Sequence, residues 1–232
     1  MKVIFDKYIE HSRQWRFDEF KLKQFEFNYR RYFPEAGKET LDIGVGQGEM
    51  LACMRDWGYE YMGVDISGST VAACQKRGLT CEVVSDTGAF LRENESRFSI
   101  ITMLDVLEHI PRESMIALLA DIRTALAPGG RAIIQVPNSQ APESYLHRYN
   151  DITHEVCFSE HSLEQVLLGA GFEEFHFFGY ETFPQRGLKI AIKRLLRGVQ
   201  WKIVRFRRRL MGNLDPEVLA PVLVTVTGAK RS

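Results

Sequence analysis

The chain has 232 residues, 45% apolar and 26% charged, which is ordinary globular usage and enough apolar material for one sizeable core. Its 30 basic and 30 acidic side chains cancel, which excludes a global field that would gather nucleic acid or an acidic membrane. The balance conceals a segregation: residues 186–211 hold Arg186, Lys189, Lys193, Arg194, Arg197, Lys202, Arg205, Arg207, Arg208 and Arg209, and no acid.

Cys53, Cys74, Cys81 and Cys157 form neither a CxxC pair nor a dense framework, so they read as reduced thiols of a cytoplasmic protein, without disulfides or structural zinc. The opening MKVIFDKYIEH contains Asp6 and no apolar h-region, unlike a secretory signal. The longest apolar run, 218–229, is interrupted by Pro221 and falls short of the ~20 residues that span a bilayer. A soluble or peripheral protein is expected.

Trp15, Phe17, Phe20, Phe25, Phe27, Tyr29, Tyr32 and Phe33 place eight aromatics in nineteen residues. They read either as a lid over a ligand or as rings packed on a sheet or a second subunit. From there β-rich runs alternate with helical spacing. The runs 39–43, 59–64, 79–84, 99–103 and 131–136 read as strands; 49–57, 69–77, 87–93 and 112–126 read as the helices between them. Alternation of this kind with mostly unbroken apolar strands implies a parallel sheet covered on both faces, which binds ligands at the carboxyl ends of its strands. After Val136 the rhythm breaks into some 20 polar and aromatic residues, the length at which a loop is usually functional. A helix then starts at Ser159 and stops near Gly169 to Gly171, and 172–180 and 222–227 read as the last strands.

Between those last strands Leu188, Ile192, Leu195, Val199, Ile203, Phe206 and Leu210 recur at steps of three and four, with the cations on the other sides. The segment reads as an amphipathic helix for an anionic lipid or glycan surface, or as a stripe packed on the protein itself. Gly198 leaves open a break into two helices. No RNA- or DNA-binding motif accompanies the charge, so nucleic acid is not an expected partner.

The first strand runs into Leu41-Asp42-Ile43-Gly44-Val45-Gly46-Gln47-Gly48. Glycines here let the backbone turn tightly and approach a ligand that a Cβ would exclude, while the next helix presents free N–H groups. A dinucleotide GxGxxG from Gly44 would need glycine at 49, where Glu49 stands. The acid-x-GxGxG arrangement instead resembles the class I S-adenosylmethionine-dependent methyltransferases. Asp65 at the end of the second strand matches that family's ribose-binding acid, and Asp86 after the third its adenine-binding acid. Residues 98–111, containing Asp105-Val106-Leu107-Glu108-His109, resemble its fourth strand and turn, and Pro128-Gly129-Gly130 is a further match. The resemblance implies a three-layer Rossmann-like α/β fold with seven strands, the last antiparallel. It places Asp42, Gly44, Gly46, Gly48, Asp65, Ile66, Asp86, Thr87, Met103 and Leu104 around S-adenosyl-L-methionine. It also divides one domain over 1–232 into an aromatic helical segment (1–37), a cofactor core (38–136), an acceptor loop (137–158) and a basic helical insertion (186–212).

The acceptor loop resembles a bacterial subgroup associated with polysaccharide and O-antigen synthesis, through Val136-Pro137-Asn138 and the RY-x-D-x-THE-x-x-F-S text from Arg148 to Ser159. That implies O-methylation of a sugar hydroxyl in a glycan or its lipid- or nucleotide-linked precursor. An imidazole suits removal of the hydroxyl proton, which makes His154 the candidate base, Asp151 or Glu155 its orienting partner and Asp105 a second base. His109 reads as fixing its turn. Asp151, Thr153 and His154 also read as a hydrogen-bonded cluster that only stabilises the loop. Asp105, Asp151 and Glu155, if they converge, suit Mg²⁺, though no spacing demands a metal. Two other readings stay open: a small aromatic or quinone-like acceptor, and a protein that binds the cofactor without catalysis.

Overall fold

The computed structural model describes residues 16–34, 38–184, 187–213 and 216–228; Trp15 and Arg186 fall outside these. One sheet contains β1 (Glu39–Ile43), β2 (Glu60–Asp65), β3 (Cys81–Val83), β4 (Phe98–Leu104), β5 (Leu126–Pro137), β6 (Glu174–Gly179) and β7 (Val222–Gly228). The order is β3-β2-β1-β4-β5-β7-β6; β1 to β5 pair in parallel, and β7 runs antiparallel between β5 and β6. This is the expected seven-stranded sheet with its last strand reversed.

Parallel neighbours need crossovers. These are provided by α2 (Glu49–Asp56), α3 (Gly68–Gln75), α4 (Thr87–Glu93) and α5 (Arg112–Ala125), with α1 (Glu19–Tyr29) ahead of the sheet. Then come α6 (Tyr145–Tyr149), α7 (Glu160–Gly169) and α8 (Leu188–Leu210). Leu51, Met54, Val71 and Cys74 of α2 and α3 join Phe25 and Tyr29 of α1 in a core on one face. Leu91, Met115, Leu119, Ile122 and Leu167 from α4, α5 and α7 form the core on the other. Burial on both faces is the reason β4 is mostly apolar.

Of the N-terminal aromatics, Phe25, Tyr29 and Phe33 are buried and packed in the core, while Phe27 stays exposed. Asn28 fastens α1 to the chain after β6, donating from Nδ2 to the Glu181 carbonyl at 2.9 Å and accepting from its N–H at 2.9 Å. Three boundaries differ from the sequence reading. Pro128 to Gly130 lies inside β5 rather than before it, at a point where the register with β4 shifts. The loop after Val136 contains the short helix α6. Segment 188–210 is one continuous helix, because Gly198 faces open space and its propensity cost of ~1 kcal/mol is spread over 23 residues of mostly good helix formers.

Candidate active site

The sheet order reverses between β1 and β4, and the crevice at their carboxyl ends is where such folds bind ligands. Two segments meet there. Gly44, just past β1, has φ +77°, and a Cβ on it would lie 2.3 Å from Cγ2 of Val106, just past β4. Gly46 has φ +52°, yet a Cβ there would meet nothing within 4 Å. The first glycine is therefore required by the protein's own packing. The second leaves a bare stretch of backbone open to a ligand. Gly48, also left-handed at φ +88°, starts α2.

Acids surround this backbone. Asp42 is buried, accepts a 2.6 Å hydrogen bond from Thr102 Oγ1, and has its carboxyl pushed up to about 7, chiefly by burial. Asp65 accepts from the Ser67 N–H at 2.8 Å. Burial raises its pKa, while N–H groups of Ser67, Gly46, Val45 and Ile66 draw it back down. The carboxylate at the end of β2 is thus tied to the glycine loop itself. Ile66 beside it is 45% exposed, an apolar surface next to the acid. A bare backbone turn, an exposed apolar side chain and carboxylates at adjoining strand ends fit a ligand with a cationic centre, a ribose diol and a flat base, as S-adenosylmethionine has.

The other cofactor candidates are placed less uniformly. Asp86 is exposed and caps α4, accepting from the Ala89 N–H at 2.9 Å; Thr87 is the first residue of that helix. Leu104 is half-buried at the end of β4, whereas the Met103 side chain is wholly buried in the core. Only the backbone of Met103 is therefore available to a ligand in the crevice.

Asp105 is exposed just past β4 at φ +56°, which orients it away from the strand path. Its Oδ2 accepts from Gln135 Nε2 at 2.8 Å, and Gln135 Oε1 accepts from the Tyr29 hydroxyl. A hydrogen-bonded line thus runs from the buried face of α1 to the crevice. Tyr180 packs against Tyr29, ring centroids 5.9 Å apart, and also lines a cavity of about 330 Å³ with Phe177, Arg197 and Trp201.

A second cluster lies on the turn after β4. The backbone carbonyl of Glu108 accepts from the N–H groups of Glu155 at 2.7 Å and Val156 at 3.3 Å, which draws the acceptor loop over that turn. The loop folds back because Asp151 Oδ1 accepts from both the N–H and the hydroxyl of Thr153, at 2.9 and 2.6 Å. Thr153 Oγ1 lies 2.9 Å from His109 Nδ1, and the rings of His109 and His154 meet edge to face, centroids 4.7 Å apart. Burial and then the neighbouring His154 hold His109 below the ordinary imidazole range. Hydrogen bonds from Thr153 and the two nearby imidazoles hold Asp151 low against its own desolvation. Glu108 is pushed well above the carboxylate range by burial and then by Asp105.

Asp151 thus reaches His109 through Thr153, and its charge also acts on His154. His109 stands inside the cluster rather than serving its turn alone. Among the described residues, the metal-ligating side chains that gather are Glu108, His109 and His154, in place of Asp105, Asp151 and Glu155. Glu108, Gln135 and Tyr29 carried no signal in the sequence, since a buried glutamate in an LEH turn and a glutamine in a strand look like ordinary fold residues.

A family model described as a methyltransferase domain matches residues 13–176. The ubiquinone biosynthesis O-methyltransferase of Pseudomonas fluorescens strain SBW25 is 32% identical over 116 residues, 48% of this chain and 49% of that protein. The protein of the same name from Paraburkholderia phytofirmans is 28% identical over the same length. The chain thus spans about half the length of the curated relatives it matches. Among solved structures, a SAM-dependent methyltransferase from Archaeoglobus fulgidus superposes with a TM-score of 0.72 at 20% identity, covering 96% of this chain and 99% of the other. The 1,6-didemethyltoxoflavin-N1-methyltransferase of Burkholderia thailandensis, solved with its acceptor and S-adenosylhomocysteine, gives 0.60 at 17% identity over 97% and 85%. At such identities the structures speak for the fold, and the family match speaks for descent: with its glycine loop at the β1–β4 switch point, the chain belongs to the S-adenosylmethionine-dependent methyltransferase family, class I.

Proposed function

We propose that the chain transfers a methyl group from S-adenosylmethionine to a hydroxyl oxygen, and that the hydroxyl is one of a sugar in a glycan or its lipid- or nucleotide-linked precursor. The observation that carries the reading is the polar cluster of Asp151, Thr153, His109 and His154 folded over the turn that follows the β4 end of the crevice. The cofactor, when bound, supplies an electrophilic methyl on a sulfonium. The protein's part is to hold the cofactor on the Gly44–Gly48 backbone and Asp65, with Asp42 beneath and Ile66, Asp86, Thr87, Met103 and Leu104 around it. It also sets the acceptor oxygen in line with the S–methyl bond, where positioning alone accounts for much of the rate. The hydroxyl proton passes to His154 or to Asp105, with Asp151 acting through Thr153. The likeness of residues 136–159 to glycan-modifying methyltransferases supports the sugar.

An aromatic or quinone-like hydroxyl is the second reading. It is favoured by the printed name of the O-methyltransferase relatives and by the aromatic lining of the cavity at Tyr180 and Trp201. In either case α8 serves as the contact with an anionic surface. Leu188, Leu195, Leu196, Phe206 and Leu210 are each more than 60% exposed along a helix with no acid. No helix among the described residues is long and apolar enough to cross a membrane. Methyl-labelled cofactor, incubated with the protein and fractionated source-cell extracts, tests the acceptor. Label in a methylated sugar after acid hydrolysis supports the first reading; label in the neutral lipids replaces it with the second.

A further inference from the structure

We infer that Glu108, His109 and His154 form a site for one divalent first-row transition-metal ion of the Zn²⁺ type. Their ligand atoms, one from each side chain, all lie within 4.8 Å of one another. Bonds of about 2.1 Å at tetrahedral angles place two donors about 3.4 Å apart, so closure needs side-chain adjustment of up to about 1.4 Å.

A second observation, independent of this proximity, also points to a ligand. Glu108 is 1% exposed, and its Oε2 has no hydrogen-bond partner. A buried carboxyl oxygen without a partner is costly, and native folds keep such a group where something meets it. A cation held by the two imidazoles next to it would meet it. The surroundings are already arranged for that. Thr153 fixes the His109 ring through Nδ1 and is itself held by Asp151, the kind of hydroxyl–carboxylate support that orients metal-binding histidines. Two N–H bonds to the Glu108 carbonyl fix the loop that carries His154.

The donor set chooses the ion. Two imidazole nitrogens and one carboxylate oxygen suit Zn²⁺, Co²⁺, Fe²⁺ or Mn²⁺, whereas Mg²⁺ and Ca²⁺ prefer oxygen throughout. Three protein ligands leave at least one position for an outside oxygen, the arrangement of a reactive rather than a structural site. Its chemical use rests on the O-methyltransferase reading: an ion there binds the acceptor hydroxyl and lowers its pKa, His154 becomes a ligand, and the proton passes to Asp105.

The test reads binding without acceptor or cofactor, so a failure of the methyl-transfer reading leaves it standing, and the reverse. The chelator-treated full chain is titrated with Co²⁺ and followed by visible absorption and equilibrium dialysis, with Zn²⁺ added in competition. The expected result is one Co²⁺ per chain with visible d–d bands, displaced by Zn²⁺. Affinity should fall at least tenfold in both His154→Ala and the isosteric Glu108→Gln, while circular dichroism and S-adenosylmethionine affinity stay at wild-type values. No stoichiometric binding to the wild type, or equal binding in folded His154→Ala, overturns the proposal.

Discussion

The imidazoles of His109 and His154 stand edge to face, 4.7 Å apart, although one belongs to the turn after β4 and the other to the loop after β5. Asp151 supports this pair through Thr153. His154→Ala is expected to lower kcat by about 100-fold or more, the usual contribution of a group that handles the transferred proton or its oxygen. Affinity for S-adenosylmethionine is expected to stay unchanged, since the glycine loop is a separate segment. Single-turnover kinetics beside calorimetric cofactor binding check this; a fully active variant removes His154 from the chemistry.

In the proposed cofactor site Asp65 would offer a carboxylate to the ribose, and it ties down the loop through the backbone of Ser67, Gly46, Val45 and Ile66. Asp65→Ala is expected to weaken S-adenosylmethionine binding by roughly 1.5–3 kcal/mol, the range for a lost charge-assisted contact. It should also lower Tm, because the loop loses its anchor. Calorimetry with unchanged affinity would refute the ribose assignment.

Gly44 and Gly46 separate folding from binding. Alanine at either position pays a left-handed penalty of about 1–2 kcal/mol. At Gly44 the new methyl also overlaps Val106 Cγ2, adding overpacking of about 1–3 kcal/mol. At Gly46 it enters open space. Gly44→Ala should therefore have the larger fall in Tm, and Gly46→Ala should remain folded while losing at least tenfold in cofactor affinity. Equal losses of both properties in both variants would contradict the division.

Asp42 gives the protein without cofactor a pH dependence of known sign. Its carboxyl titrates near 7 in the fold and near 3.9 in the unfolded chain. Between these values the folded chain keeps a proton that the unfolded chain has released, so stability falls as pH rises from about 4 to 7. The full effect is on the order of 4 kcal/mol. Asp42→Asn abolishes this titration and can still accept from Thr102. The variant should gain in Tm on the wild type between pH 5 and pH 8. Thermal melts giving a gap that does not change with pH would show that Asp42 does not titrate in this range.

The contact proposed for α8 would be electrostatic as well as apolar. Replacing Arg194, Lys202 and Arg207, all exposed, with glutamine should weaken binding to anionic vesicles on the order of 100-fold, at about 1 kcal/mol per cation. Neutral vesicles should show little change. Sedimentation with both lipid compositions decides, and undiminished binding to anionic vesicles would remove the cations from the interaction.

Much of the architecture was written locally. β1 and α4 fall on the residues that apolar spacing indicated, and the left-handed turns of Gly44, Gly46 and Gly48 follow from glycine in a strand-to-helix connection. These features depend on neighbours within a few positions, so spacing alone reveals them. The continuity of α8 across Gly198 and the start of β5 at Leu126 were less legible, because each depends on how neighbouring segments compensate a locally unfavourable residue.

The composition of the candidate site was decided by the tertiary structure. Tyr29 and Gln135 lie 106 positions apart, and Thr153 and His109 44 apart, yet each pair shares a hydrogen bond. Strand order and register set which side chains meet at the sheet's carboxyl edge, and no local pattern encodes either. Backbone preference and apolar periodicity were enough to place the strands, the glycine loop and the acids at the strand ends. Packing buried Glu108, brought His154 to the Glu108-His109 turn and joined Asp151 to His109 through Thr153, because burial and long-range contact exist only after the chain has closed on itself.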